Sequence, residues 1–226
     1  MRECLKKLKN ITNQFLIKGS DPIVAISGGI DSITLSAFIS KEIKKRLNVA
    51  HAISPAVSVE ATNRVKDLSK RYNWKLHILN AGEMRDKKYT SNPINRCFYC
   101  KTNLYYSISS TLNGQILSGA NLDDLNDFRP GLKAAENSSV RHPFIESQMG
   151  KKEIRALANQ LGLKEISKLP ASPCLSSRIQ TGIYITSDLL KKIDKVERKI
   201  KNVIPDADVR CRWLNKGIAI EFNKPS

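Results

Sequence analysis

Long apolar runs are missing from this sequence. No stretch approaches the roughly 18 consecutive apolar residues that a membrane-spanning helix needs, so no membrane partner is expected. The first residues, MRECLKKLKNITNQF, lack both an apolar core and a small-residue cleavage site, which argues against a secretory signal and points to the cytoplasm. Aromatic residues make up only 6%, and there is no arginine-rich tail or alternating basic–aromatic segment of the kind that tracks single-stranded nucleic acid. Acidic residues are scarce as well. With 21 Asp and Glu against 38 Lys and Arg, the formal charge is +17, which calls for an anionic partner: a nucleotide, a nucleic acid such as tRNA, or another phosphorylated ligand. Many of the lysines fall in helical stretches (Lys41, Lys44 and Lys45; Lys191, Lys192, Lys195 and Lys199), where a solvated face explains them. The five cysteines form no even set and follow no export signal, so they do not read as a disulfide framework. Neither the Walker A string nor the G-x-G-x-x-G fingerprint occurs.

What is present is Ser27-Gly28-Gly29-Ile30-Asp31-Ser32, directly after the apolar run Ile23–Ile26. A short buried strand, two glycines and then a helix is the layout that delivers a phosphate to a helix N-terminus. The glycines admit close approach of backbone N–H groups, the serines add hydroxyl donors, and the helix dipole favours negative charge. Asp31 in this setting orders the loop and caps the helix. The string resembles the SGGxDS pyrophosphate loop of ATP pyrophosphatases, which cleave ATP between the α and β phosphates and adenylate a substrate.

The chain length of 226 residues suits one or two domains. Cys4, Leu8, Ile11 and Phe15 recur at a helical period over residues 1–17. Strands are expected at 23–26, 47–54, 75–79 and 115–118, alternating with helices at 31–45, 59–72 and 96–111. Residues 82–95 are polar and aperiodic. Such alternation predicts an α/β fold, a parallel sheet with helices on both faces and a ligand crevice at the C-terminal ends of the strands. Beyond residue 145 the pattern changes to a helix at 151–161, a loop at 169–182, a long charged helix capped by Thr186, Ser187 or Asp188 and running to Val203, and two hairpin strands at 208–212 and 217–222. We therefore expect a nucleotide domain over 1–145 and a smaller α+β unit over 146–226.

Cys97 and Cys100 form a C-x-x-C in NRCFYCK. On a helix, positions i and i+3 lie on one face about 5–6 Å apart, close enough for two thiolates to share a metal centre. A redox disulfide is the competing use of the spacing. Cys174, in PASPCLSSR, is the third candidate. Three thiolates suit a 4Fe–4S cluster with one iron open to an outside ligand. Structural zinc would need a fourth ligand, for which His142 or Cys211 is available, and thiols without metal remain open. Cys4 and Cys211 read as structural.

Taken together, SGGIDS, RCFYCK, GANLDDLNDFRPGLKAAEN (119–137) and PCLSSRI (173–179) resemble the LarE family of ATP-dependent sulfur transferases, in the same order from about residue 20 to residue 222. The stretch after Arg178, IQTGIYIT, departs from the family, which more often has Pro-Tyr-Gly there. The resemblance implies a five-stranded sheet of the adenine nucleotide alpha hydrolase type, ATP with Mg2+, and adenylation of a carboxylate on a pyridinium mononucleotide before sulfur replaces oxygen. The product serves nickel-pincer nucleotide synthesis. Members with only the cysteine of PCLSSR give up that sulfur, whereas members with all three bind a 4Fe–4S cluster, so Cys97, Cys100 and Cys174 become the expected ligands here. The sulfide source is open, and a homo-oligomer is expected. A related enzyme that thiolates tRNA or another small molecule is one alternative. The other is a nucleotide-binding module with structural zinc.

The resemblance also places Arg178, Arg210 and Arg212 at the substrate, and a guanidinium fork suits phosphate and carboxylate. Arg210 and Arg212 share one face of a strand, and Glu221 opposite is placed to orient them. Lys101 can neutralise a phosphate or the adenylated carboxylate. Cys174, Arg178 and Lys101 are thus the expected catalytic set. Asp123, Asp124 and Asp127, with Arg129 and Glu136, form a polar block near the presumed crevice. They read either as oxygen ligands toward magnesium-bound ATP or as Asx turns and helix caps.

Overall fold

The computed structural model describes residues 1–17, 21–43, 45–126, 128–205 and 207–223. Lys44 and Asp127 therefore lie outside the described residues. Four strands, β1 (Pro22–Ala25), β2 (Asn48–Ala52), β3 (Lys75–Leu79) and β4 (Gln115–Ser118), form a parallel sheet in the order β3-β2-β1-β4. The sheet has four strands among the described residues where five were expected. The fifth position is reduced to a single parallel bridge, Leu117 to Arg141. Pro143, two residues later, starts a helix and has no N–H to extend a ladder.

Register explains the layering. Val24 pairs with Val49 and Leu117, and Val49 with Leu76, so one row of apolar side chains crosses the sheet. This face carries helices α1 (Arg2–Ile17), α2 (Ile30–Glu42) and α3 (Val59–Arg71), through residues such as Leu8, Ile33, Leu35 and Val65. After the short helix α4 (Lys87–Thr90) comes α5 (Arg96–Thr111), then α6 (Pro130–Asn137). Ile23, Ala50 and Ile116 point to the opposite face, where Tyr105 and Ile108 of α5 and Ala135 of α6 cover them. The alternation follows from the two-residue period of a strand buried on both sides.

Helices α7 (Pro143–Glu146), α8 (Lys151–Gln160) and α9 (Lys164–Ser167) return to the first face, and Phe144, Ile154, Leu157 and Ile166 join its core. A second core joins Ala56 and Tyr89 to Leu175, Ile179, Ile185, Cys211, and Leu190 and Ile193 of α10 (Ser187–Val203). Thr186 caps α10 by accepting from the Leu189 amide. The antiparallel pair β5 (Asp208–Leu214) and β6 (Gly217–Asn223) packs beside it. Among the described residues no helix is long and apolar enough to cross a membrane.

Residues 82–95 are more ordered than their composition suggests. A 3-10 turn at Glu83–Arg85 and helix α4 occupy them, with Asp86 capping α4 through the Lys88 amide. The buried Asn92 amide donates to the carbonyls of Gln180 at 2.8 Å and Ile183 at 3.0 Å, which pins this segment to the second core.

Two glycines let the strand ends close on each other. Gly28 has φ +87°, and a Cβ there would lie 2.7 Å from the carbonyl oxygen of Ala61. A Cβ on Gly119, just beyond β4, would meet the Ser32 amide nitrogen at 2.7 Å and the Asp31 carbonyl carbon at 2.9 Å. Gly119→Ala is therefore expected to destabilise the fold by about 1–3 kcal/mol through overpacking against rigid backbone. The check is the urea midpoint. An unchanged midpoint would contradict the contact.

Candidate functional site

The chain runs from β1 to β2 to β3 on one side and then crosses back so that β4 lies on the other side of β1. Loops leaving β1 and β4 diverge at that point and open a crevice at the strand ends. The 27–32 segment sits there. Gly29 is the N-cap of α2 and offers no side chain to its first amides, so those N–H groups are directed at the crevice with the positive end of the helix dipole. The two serines, expected as outward donors, are engaged within the loop. Ser27 Oγ and Ser32 Oγ lie 3.1 Å apart, the Ser27 amide donates to Ser32 Oγ, and Ser32 Oγ donates to the Gly29 carbonyl.

Asp31 accepts from Lys151 through both carboxylate oxygens at 2.7 Å. Burial raises its carboxyl above the ordinary range, and Lys151 opposes the rise. The amide of Lys151 donates to Asp123 at 2.7 Å, so one residue at the start of α8 ties the β1 loop to the β4 loop. Asp124 accepts from the Asn121 amide at 3.0 Å and pairs with Arg129 at 3.2 Å. Both aspartates thus accept from backbone amides, at a turn and at a helix start, while the Asx turn between them is made by Asn121, whose Oδ1 accepts from the Asp123 amide at 3.1 Å. Ser118 and His142 Nδ1 are hydrogen-bonded at 2.8 Å, and burial lowers the His142 imidazole below its ordinary value.

Cys97 is exposed and Cys100 half-buried, one turn apart on α5, and the exposed Cys174 heads a 3-10 turn at Leu175–Arg178. The Leu175 amide donates to Ala56 O at 2.9 Å, which draws this turn over the end of β2. The three thiols lie near enough to feel one another. Burial first and Cys174 second push the Cys97 thiol up, and the same two causes push Cys100 up to about 12. Lys101 is raised, foremost by Tyr105, whose ring centroid is 5.9 Å from its ammonium, and further by all three cysteines. Cys4 donates to the Gln148 carbonyl and Cys211 is buried in the second core, where the charges it feels are Glu197 and Arg178.

The arginines converge on the backbone of the cysteine loop. Arg178 is buried and bonds Glu197 through Nε at 2.9 Å and Nη2 at 3.3 Å, while its Nη1 donates to Pro173 O at 2.9 Å. Arg212 donates to Ser177 O at 2.8 Å and to Glu221 at 2.8 Å, so Glu221 does hold one of the pair. Arg210 reaches Ala171 O at 3.4 Å and Asp208 at 3.6 Å, and its Nε is buried with no hydrogen-bond partner. Three guanidinium groups therefore hold three carbonyls on either side of Cys174.

Sequence reasoning missed Lys151, Glu197, Tyr89 and Ser176. The Tyr89 hydroxyl bonds Ser176 from 87 residues away, and no local pattern marks such a pair. Glu197 accepts from Arg178 and also from the Cys211 amide at 2.9 Å. Removing it leaves a buried guanidinium unpaired, so Glu197→Ala is expected to cost about 3–5 kcal/mol. Chemical denaturation measures this, and a loss under about 1 kcal/mol, the scale of a surface pair, would contradict the buried network.

No protein-family model matches the chain. Individual relatives do. The uncharacterized protein slr1717 of Synechocystis sp. is 35% identical over 199 residues, which cover 84% of this chain and 72% of that protein. The uncharacterized protein MJ0830 of Methanocaldococcus jannaschii is 30% identical over 226 residues, 98% of this chain and 84% of that protein. At 29% identity over 205 residues, 88% of this chain and 73% of the relative, the chain is similar to the pyridinium-3,5-bisthiocarboxylic acid mononucleotide synthase of Lactiplantibacillus plantarum. Identity at this level, sustained over nearly the whole chain, makes this protein a member of the family that includes slr1717 and MJ0830.

Proposed function

We propose that this protein is an ATP-dependent sulfur transferase that adenylates a carboxylate of a pyridinium mononucleotide and exchanges its oxygen for sulfur, toward a nickel-pincer nucleotide. The name of the Lactiplantibacillus relative supports the substrate class. The observation that carries the reading is the geometry at the strand ends. The α2 amides behind Gly29 face the crevice that Lys151 ties together through Asp31 and Asp123, and the cysteine loop is drawn over the end of the neighbouring β2 by the Leu175–Ala56 hydrogen bond.

Bound in that crevice, ATP would place its phosphates on the α2 amides. A substrate carboxylate oxygen attacks the α phosphorus as the α–β bridge breaks, and pyrophosphate leaves. Lys101, cationic and half-buried, offsets the charge that accumulates on the reacting groups. Arg210, held loosely by Ala171 O at 3.4 Å and Asp208 at 3.6 Å, suits the phosphate of the mononucleotide. Arg178 and Arg212 fix the backbone that presents Cys174.

Cys97, Cys100 and Cys174 would hold a 4Fe–4S cluster, which when bound supplies sulfide for transfer. The donor set fits such a cluster: two thiols on one helix face, a third on a facing loop, and Arg96, Lys101 and Arg129 close enough to offset thiolate charge. Among the described residues no three His, Cys, Asp or Glu side chains converge to hold a single metal ion. A cluster takes its thiolates one per iron and does not require that convergence.

With ATP and pyridinium-3,5-biscarboxylic acid mononucleotide, the anaerobically loaded protein is expected to release AMP and pyrophosphate and to form a thiocarboxylate. Cys174→Ser is expected to keep pyrophosphate release and to lose both the thiocarboxylate and the AMP that leaves when sulfur arrives, read by a pyrophosphate assay and mass spectrometry. Release of ADP and phosphate would overturn the reading.

A further inference from the structure

A glycine-rich loop leaves its amides free for an anion when other groups satisfy its carbonyls. Two residues outside the motif do this here. His51 Nδ1 lies 2.8 Å from the Ile26 carbonyl and Nε2 lies 3.1 Å from Thr62 Oγ1. A neutral ring that donates from Nδ1 and accepts from the threonine meets both contacts, and burial favours that neutral form. Arg64 Nη1 donates to the Gly28 carbonyl at 2.7 Å. Gly28 is the left-handed residue of the loop, packed against Ala61 one turn before Arg64.

The surroundings of Arg64 are unusual for a guanidinium. It is half-buried, and among the described residues no carboxylate lies within ion-pair distance of it. Glu60, one turn earlier on α3, is the acid whose field it feels, and Glu60 is bonded to Lys201 at 3.0 Å. The contact with Gly28 uses one N–H of the fork, and the rest find no protein acceptor among the described residues. Desolvation disfavours its charge, which makes an incoming anion the natural counter-charge.

We propose that Arg64 is a phosphate-contacting residue that binds the pyrophosphate portion of ATP from the α3 side of the loop, an assignment that rests on the ATP reading above. Its hydrogen bond to Gly28 O fixes the guanidinium at the loop and leaves its remaining N–H groups for the anion. A guanidinium fixed in this way can offer two parallel N–H donors to phosphate oxygens. Because the assignment is to the pyrophosphate portion alone, the effect should fall on the distal phosphates.

The test is calorimetric titration of wild type, Arg64→Ala and Arg64→Lys with ATP, pyrophosphate and AMP, alongside thermal melting. Arg64→Ala is expected to weaken ATP and pyrophosphate by about tenfold or more while changing AMP by less than about twofold. Arg64→Lys, which keeps the charge and loses the fork, should fall between. Equal losses for all three ligands, or losses that follow a drop in melting temperature, would make Arg64 a brace for the loop only. Unchanged affinities would also overturn the assignment. Failure of wild type to bind ATP or pyrophosphate would overturn the ATP reading itself, and Arg64 with it.

Discussion

The position of β1 between β2 and β4 governs the rest of this molecule. Because the sheet grows outward from β1 in both directions, the loops after β1 and β4 part at their roots. The gap between them is narrow where Gly119 lies against the α2 backbone, while Gly28 lets the β1 loop pack on Ala61 of α3. A side chain at Gly119 would push the two loops apart. Lys151 then bridges them, with its ammonium on Asp31 and its amide on Asp123. The crevice is thus a property of topology and close backbone packing, and the charged residues decorate it.

The cysteine loop is held by different means. It carries prolines at 170 and 173, which supply no N–H, and it forms little secondary structure before Leu175. Its carbonyls are taken by Arg178, Arg210 and Arg212, and Glu197 locks the most buried of these. Such a pair contributes little net stability over apolar packing but punishes the loss of either partner. Its consequence is a fixed geometry for Cys174 opposite α5. The same side chains expected to grip substrate therefore also build the site, and Arg210 alone of the three leaves a buried nitrogen unpartnered.

Much of the fold was legible from periodicity. Strands 75–79 and 115–118 and the helix at 96–111 coincide with β3, β4 and α5; β4 and α5 bury apolar positions that mark them, and the edge strand β3 half-buries Leu76 and Leu79. The helix expected at 31–45 ends at Glu42, and the strand expected at 47–54 spans Asn48–Ala52. The SGGIDS string falls at the strand-to-helix turn where its chemistry requires it. What escaped were contacts between distant segments. Residues 82–95 fold because Asn92 and Tyr89 find partners about 90 residues later, and their own polarity gives no hint of this. The fifth strand, absent among the described residues, is a similar case: Arg141 makes one bridge before Pro143 turns the chain into α7. Arg178 read as a substrate arginine, yet it lies inside the second core, a placement decided by Glu197 on α10.

The central claim is that the phosphate loop activates a carboxylate. Single-turnover reaction of ATP with pyridinium-3,5-biscarboxylic acid mononucleotide labelled with 18O in its carboxylates tests this directly. Attack of the carboxylate on the α phosphorus places one labelled oxygen in the AMP that departs when sulfur arrives. Mass spectrometry should therefore show AMP heavier by one 18O. Unlabelled AMP would mean that water or another group takes the adenylyl unit, and the account would be wrong.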